Sequence, residues 1–221
     1  MEIQERRHWV IPYAGPYAGP CAGKTIRWAE IPGRQLVSAL DGSPAEQATL
    51  VRAAWNGEAL SVRFECEDRH AWGTLTQRDD PLYQEEAVEV FLAPGASDPA
   101  VYFEFEVSPR GVLWDGRIRN PTSQRADLVS DAGWDCPGIR WQAGPRTESG
   151  TERQDWWAEL VIPWESIAPD GSPLPSLWRG NFYRIERPAG SPPEFTAWSP
   201  TLVTPADFHK PARFGVLELQ R

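Results

Sequence analysis

The chain is poor in the residues that most often carry reactive chemistry. Its 221 residues include one methionine, three cysteines and three histidines. Cys21, Cys66 and Cys136 form an odd, widely spaced set without metal-ligand spacing; reduced thiols are expected, with one disulfide plus a free thiol as the alternative. His8, His70 and His209 lie far apart, and Met1 is the sole methionine, so a haem needing Met or His as axial ligand has little to draw on. Gly-x-Ser-x-Gly, Walker and dinucleotide loops are missing. Apolar runs fall well short of the ~20 residues that a bilayer-spanning helix needs. The start, Met1 to Arg7, lacks the apolar stretch of a secretory signal, so a cytoplasmic location is expected, with export by another route left open. Positive charge is also scarce: 22 Lys and Arg stand against 31 Asp and Glu, a net charge of -9. Nucleic acid and anionic membrane surfaces are therefore poor partners.

Tryptophan and proline are plentiful, at 12 and 22 residues, a mix that suits strands separated by rigid turns. Thr49 to Trp55 and Ala59 to Cys66 flank Asn56-Gly57, a strong hairpin turn. Further strand signals fall at Gly111 to Asp115, Trp156 to Ile162, Gly180 to Glu186, Phe195 to Trp198 and Phe214 to Leu219. With the two acidic strands described next, about ten strands are expected, in a two-sheet antiparallel sandwich. Helix signals are weak: one turn at Glu165 to Ile167, and a poor candidate at Ser43 to Thr49. Residues 1–221 read as a single domain with an irregular N-terminal segment over about residues 1–23, where Tyr-Ala-Gly-Pro occurs twice from Tyr13 to Pro20.

The richest stretch is Arg78 to Val107. Ala87 to Leu92 and Tyr102 to Val107 alternate with period two, so each has one dry face and one polar face. Val88, Val90 and Leu92, with Phe103, Phe105 and Val107, form the dry face. Glu89, Glu104 and Glu106 share the other, beside Tyr83. Paired through the Pro/Gly loop 93–100, the strands would gather three carboxylates on an exposed sheet face. Like charges opposed on a sheet are unfavourable, so the cluster suggests a site that expects a partner.

Sugars present C–H faces to aromatic rings and hydroxyls to carboxylates, amides and Arg. Rings in loop-like contexts are the candidates here: Tyr83 before the acidic strand, Trp198 beside a proline turn, and Trp72 in a polar loop. Trp55, Trp156, Trp164 and Trp178 lie in or beside apolar patterns and read as core. Glu89 and Glu104 also have the chemical type of a glycosidase pair, so a glycan-processing enzyme is the alternative. Asp41, Asp68, Asp79, Asp80 and Asp115 sit in turn-like contexts but form no recognisable calcium loop.

Five segments together resemble the carbohydrate-binding family 9-like domains: Arg78 to Leu92, Tyr102 to Val107, Trp178 to Arg187, Ala197 to Thr201 and Phe208 to Leu217. They run in order from about Leu40-Asp41-Gly42 to the C-terminus. The resemblance implies an all-β, immunoglobulin-like antiparallel sandwich of the DOMON type that binds an oligosaccharide or polysaccharide without catalysis. In such modules two rings clamp a terminal sugar. By motif position Tyr83 matches the first ring and Trp198 the second, with Glu89 on the strand after the first. Glu104 stands where those modules carry a cation, and Arg184 and Glu186 where they carry amides. The resulting expectation is an open Tyr83–Trp198 slot floored by Glu89, Glu104, Arg184 and Glu186. No catalytic residue and no cofactor is implied, although structural calcium supports some modules of this family.

Overall fold

The computed structural model describes residues 6–15, 26–146, 153–168, 171–188 and 190–220. Alternating apolar residues and closely spaced turns produce extended chain almost throughout. The strands are β1 (His8–Pro12), β2 (Gly33–Gln35), β3 (Val37–Ser38), β4 (Thr49–Trp55), β5 (Ala59–Cys66), β6 (Ala87–Pro94) and β7 (Val101–Val107). They continue as β8 (Leu113–Arg119), β9 (Val129–Asp131), β10 (Arg140–Pro145), β11 (Trp156–Pro163), β12 (Leu177–Glu186), β13 (Glu194–Ala197) and β14 (Gly215–Gln220). One α-helical turn, Trp164–Ile167, follows Pro163. Ser43 to Thr49 is not helical: Asp41 Oδ1 accepts the Ser43 N–H at 3.0 Å in a turn, and β4 begins at Thr49. No helix among the described residues is long and apolar enough to cross a membrane.

The strands form two sheets. The larger runs β1-β14-β12-β6-β7-β8-β9, with β13 beside β12 and β3 outside β13; the smaller runs β10-β11-β5-β4-β2. The expected hairpins are present: β4 pairs with β5 across Asn56-Gly57, and Asn56 Oδ1 accepts the N–H groups of Glu58 and Ala59, both at 2.8 Å. β6 pairs antiparallel with β7 in the register Val88↔Val107 and Glu89↔Glu106. Where an irregular N-terminal segment is expected, residues 8–12 form a strand. β1 lies parallel to β14, and Trp9 and Ile11 point into the core. Most of the repeated tetrapeptide, and Cys21, fall outside the described residues.

The main core lies between the sheets. Val51, Ala53, Val62, Phe64, Trp156, Ala158 and Leu160 of the smaller sheet meet Val88, Val90, Leu92, Phe105, Val107 and Phe182 of the larger. The dry face is thus the one that alternation marks, and Trp55, Trp156, Trp164 and Trp178 are all buried in it. Cys66 and Cys136 are free buried thiols.

A second apolar cluster covers the outer face of the larger sheet, where Phe91, Tyr102, Trp114, Ile118, Tyr183 and Ile185 meet Phe208 and Phe214. The segment between β13 and β14 is pinned over that face. Phe208 stacks on Tyr183 with centroids 4.1 Å apart, and the Tyr183 hydroxyl donates to the Phe208 carbonyl at 2.9 Å. Asn120 Nδ2 donates to the His209 carbonyl at 3.1 Å, and Arg179 Nη2 to the Pro211 carbonyl at 3.1 Å. The carboxylate face expected to be exposed is therefore roofed. What remains open is a cleft between the roof and the β6–β7–β8 surface.

Candidate functional site

Strand parity decides which side chains reach this cleft. Glu89 on β6, Glu104 and Glu106 on β7 and Trp114 on β8 all point to the outer face, because neighbours on a strand alternate between faces. In the register, Glu106 lies between Glu89 and Trp114, and Glu104 between Phe91 and Gly116. Gly116 is required here: a Cβ would come within 2.6 Å of the Trp114 ring, which lies across the strand at that point. Tyr83 belongs to the short helical turn Leu82–Gln84, which the buried Leu82 anchors. Its backbone N–H faces Glu106, and its carbonyl accepts Arg187 Nη2 at 2.9 Å. Its ring stays 51% exposed. The cleft that these groups line is about 750 Å³, within the ~300–1,000 Å³ usual for small-molecule sites; Phe195, Leu128, Arg125 and the roof residues 203–210 complete its walls.

The three carboxyls are almost wholly buried, each 5% exposed or less. Burial pushes all three up: Glu89 and Glu104 well above the usual carboxylate range, and Glu106 to about 8. Glu106 and Glu104 push Glu89 up further. A hydrogen bond between Glu104 and Glu106 keeps the proton on Glu104 and eases ionisation of Glu106. No donor among the described residues bonds Oε2 of Glu106. The cations at the cleft bind elsewhere. Arg125 lies 3.5 Å from Asp207, Lys210 lies 2.7 Å from it, and Arg187 serves the carbonyls of Tyr83 and Glu85. His209 is held neutral, its pKa lowered by burial to about 3, and its Nδ1 lies 2.8 Å from the Tyr102 hydroxyl.

Of the site residues expected from sequence, Tyr83, Glu89 and Glu104 line this cleft, and four do not. Trp198 is 2% exposed, within 5.6 Å of Trp9 and 6.0 Å of Phe182 by ring centroids. Phe195 and Ala197 face the outer side, so parity turns Trp198 inward, and Gly215 leaves the space that its ring fills. An open Tyr83–Trp198 slot is therefore ruled out. Arg184 and Glu186 are also displaced. Their neighbours Tyr183 and Ile185 take the outer face, which sends both to the inner one, buried at the end of the sandwich. Trp72 is half-buried in an adjoining hollow with His70, Pro188 and Pro193, and its Nε1 donates to the Arg187 carbonyl at 2.8 Å. Glu106, expected from sequence as part of the acidic face, joins them, and Trp114, Phe195 and Arg125 are the additions. Trp114 needed the β7–β8 register.

Two acidic triads have the oxygen spacing of a cation site: Asp68, Glu86 and Glu186, and Asp79, Asp115 and Asp135. Neither fits a resident calcium ion. Arg184 Nη2 donates to Asp68 Oδ2 at 2.8 Å and also to Glu186 Oε2. Arg78 Nη2 reaches Asp115 Oδ1 at 2.7 Å and Asp135 Oδ1 at 2.8 Å. In each triad a guanidinium already uses oxygens of two of the three members.

Relatives share this architecture. A protein from Bacteroides uniformis described as a candidate for carbohydrate binding superposes with a TM-score of 0.75 at 19% identity, covering 98% of this chain and 100% of that one. A family 9 carbohydrate-binding module from Caldicellulosiruptor kristjanssonii, solved with cellotriose, gives 0.61 at 14% identity over 97% and 94% of the two chains. Its glucose complex gives 0.60, again at 14% identity, over 97% and 96%. In sequence, a protein from Arthroderma benhamiae named "Extracellular protein" is 31% identical over 147 residues, 65% of this chain and 65% of that relative's length. Residues 41–219 match the sequence profile of carbohydrate-binding family 9, and the chain belongs to that family.

Proposed function

We propose that the cleft binds the end of a saccharide, with Tyr83 as the ring on which a sugar face packs and Glu89, Glu104 and Glu106 as acceptors for its hydroxyls. The observation that carries this reading is the pairing of an exposed, backbone-anchored ring with inward carboxyls in one cleft. Trp114 and Phe195 supply apolar wall rather than a second open face, so the stacking is one-sided. The structurally similar family 9 module binds cellotriose and glucose, which makes neutral glucans the first ligands to screen. Binding through a shallow cleft that must desolvate carboxyls is expected to be modest.

The reading is non-catalytic. A glycosidase pair flanks the scissile bond with carboxyls at least ~5 Å apart. Glu104 and Glu106 hydrogen-bond each other, and all three carboxyls rise from one floor instead of facing across the cleft. Titration calorimetry of glucose and cello-oligosaccharides against the protein and Tyr83→Ala tests the assignment. Affinity is expected to fall at least ~tenfold, or ~1.4 kcal/mol, in the variant, with an unchanged melting temperature. Equal binding by Tyr83→Ala would remove the ring from the site. Release of reducing ends from a glycan, lost in Glu89→Gln, would overturn the non-catalytic reading.

A further inference from the structure

The floor of the cleft is acidic in a way that a neutral sugar does not explain. Hydroxyls are served as well by amides or by one carboxylate as by three. Here Glu89 faces Glu106 directly across the β6–β7 pair, with Glu104 next to Glu106 on the same face. Such opposition weakens a sheet unless something compensates. Among the described residues no ion pair reaches any of the three and no hydrogen bond is donated to Glu89, which meets burial, the other two carboxyls and the more distant Arg125, while Glu106 takes the Tyr83 N–H. Oε2 of Glu106 is buried and meets no N–H or hydroxyl donor among the described residues. The charged groups around the floor are Arg125, Lys210 and Arg187, held by Asp207 or by carbonyls at the rim, and His209, which is neutral. The hydroxyls of Tyr102 and Tyr183 are also un-ionised, their pKa values raised by burial. A bare divalent ion is a poor complement: the oxygens of this trio are not gathered as closely as those of the two arginine-filled triads, and metal–oxygen bonds of ~2.4 Å need closer oxygens than the ~2.8 Å bonds by which an ammonium can bridge any two of the three.

We propose that the preferred ligand is an amino sugar, its protonated amine seated against Glu89, Glu104 and Glu106 and its ring against Tyr83. This rests on the saccharide reading of the cleft and specifies its ligand class. An ammonium offers several N–H donors to oxygens spread over neighbouring strands, and its charge-assisted bonds are about twice as strong as neutral ones. Seating it favours the ionised carboxyls, so binding releases protons. Affinity for the amino sugar therefore climbs as pH rises from about 5 and falls again once the amine itself loses its proton near pH ~8, while affinity for a neutral sugar shows no such rise.

Titration calorimetry with glucosamine, N-acetylglucosamine, glucose and ethanolamine separates the possibilities. Glucosamine is expected to bind at least about tenfold more tightly than glucose or N-acetylglucosamine at neutral pH. Glu106→Gln and Glu89→Gln are each expected to erase that preference while melting normally. If glucose or N-acetylglucosamine binds as tightly as glucosamine, the amine inference fails and the saccharide reading stands. If ethanolamine matches glucosamine, or if no sugar binds, the saccharide reading fails and takes this inference with it.

Discussion

The larger sheet carries one carboxylate trio on each face, and the two are equally buried but differently completed. On the inner face, Asp68, Glu86 and Glu186 close around Arg184, which also donates to Thr49 Oγ1 at 3.2 Å and to the Glu67 carbonyl at 2.8 Å. Gln47 Nε2 donates to Glu186 at 2.6 Å, and Trp156 Nε1 to Asp68 at 3.2 Å. On the outer face, Glu89, Glu104 and Glu106 have one another, the Tyr83 backbone N–H, a remote arginine and an open cleft. Burial therefore does not separate a structural charge cluster from a binding one. A cation of the chain does. Arg184 ties Asp68 and Glu186 of the inner trio and leaves one buried Glu86 oxygen unpaired, whereas among the described residues no cation ties any member of the outer trio, which faces the cleft.

Removing the inner cation should give the largest effect. Arg184→Met leaves buried carboxyls uncompensated, which typically costs ~3–5 kcal/mol, whereas Glu106→Gln replaces a carboxyl that burial already keeps mostly neutral and should leave stability about equal. Urea denaturation of the two variants checks the contrast, and equal losses would erase the distinction between the faces. Trp198→Ala belongs with the inner face and should also cost ~3–5 kcal/mol, as for other buried tryptophans.

A smaller effect should appear in the pH profile. Burial raises Glu186 to about 7, Glu106 to about 8 and Glu86 to about 9. The folded protein holds these protons more tightly than the unfolded chain does. Their contribution is thus complete below the unfolded value of ~4.3 and is lost as pH climbs through the folded values. Asp207 and Glu85 are lowered, Asp207 with hydrogen bonds from Lys210 and His209, Glu85 with bonds from Thr74 and Leu75. Their contribution is lost only as pH falls below the ordinary carboxylate range. Stability should therefore peak at mildly acid pH and drop by more than ~1.4 kcal/mol, one pKa unit's worth, towards pH ~9. Glu86→Gln should flatten the alkaline limb, and a flat profile in the unmodified protein would contradict the trio's protonation.

The same comparison explains what could be read from sequence. The sandwich, the β6–β7 pairing and its dry face were legible because Val88, Val90 and Leu92 alternate with Glu89 and break only at Phe91. On β12 the signal failed. Phe182, Tyr183, Arg184, Ile185 and Glu186 are all buried, and a strand covered on both faces loses its alternation. Placing Arg184 instead of Tyr183 at the cleft is a slip of one residue, which exchanges the faces. Trp198 went the same way, since a Ser-Pro turn beside an aromatic marks a loop end but not the direction of the ring. The roof over the outer face rests on Phe208 and His209 meeting Tyr183, Tyr102 and Asn120, contacts across long sequence separations that no local pattern encodes.

The smallest expected effect concerns calcium, and it sharpens the comparison from the side of the completed clusters. A cation stabilises a fold only through affinity for the folded state, by RT ln(1 + [L]/Kd). Where an arginine already spans the oxygens, a calcium ion must displace it and leave a buried guanidinium without its carboxylates. Chelation with EDTA, or added calcium, should therefore shift the melting temperature of the unmodified protein by less than ~1 °C, since the bound fraction stays small. The Asp79–Asp115–Asp135 triad offers the cleaner test, because Arg78 is partly exposed and its loss need not collapse the core. In Arg78→Gln the three carboxylates lose their counter-charge, and calcium should gain the site. Stabilisation that grows with calcium concentration, reaching ~2.7 kcal/mol at a hundred times Kd, is expected there and not in the parent. A large EDTA effect on the parent protein would instead mean that the arginines do not complete these triads.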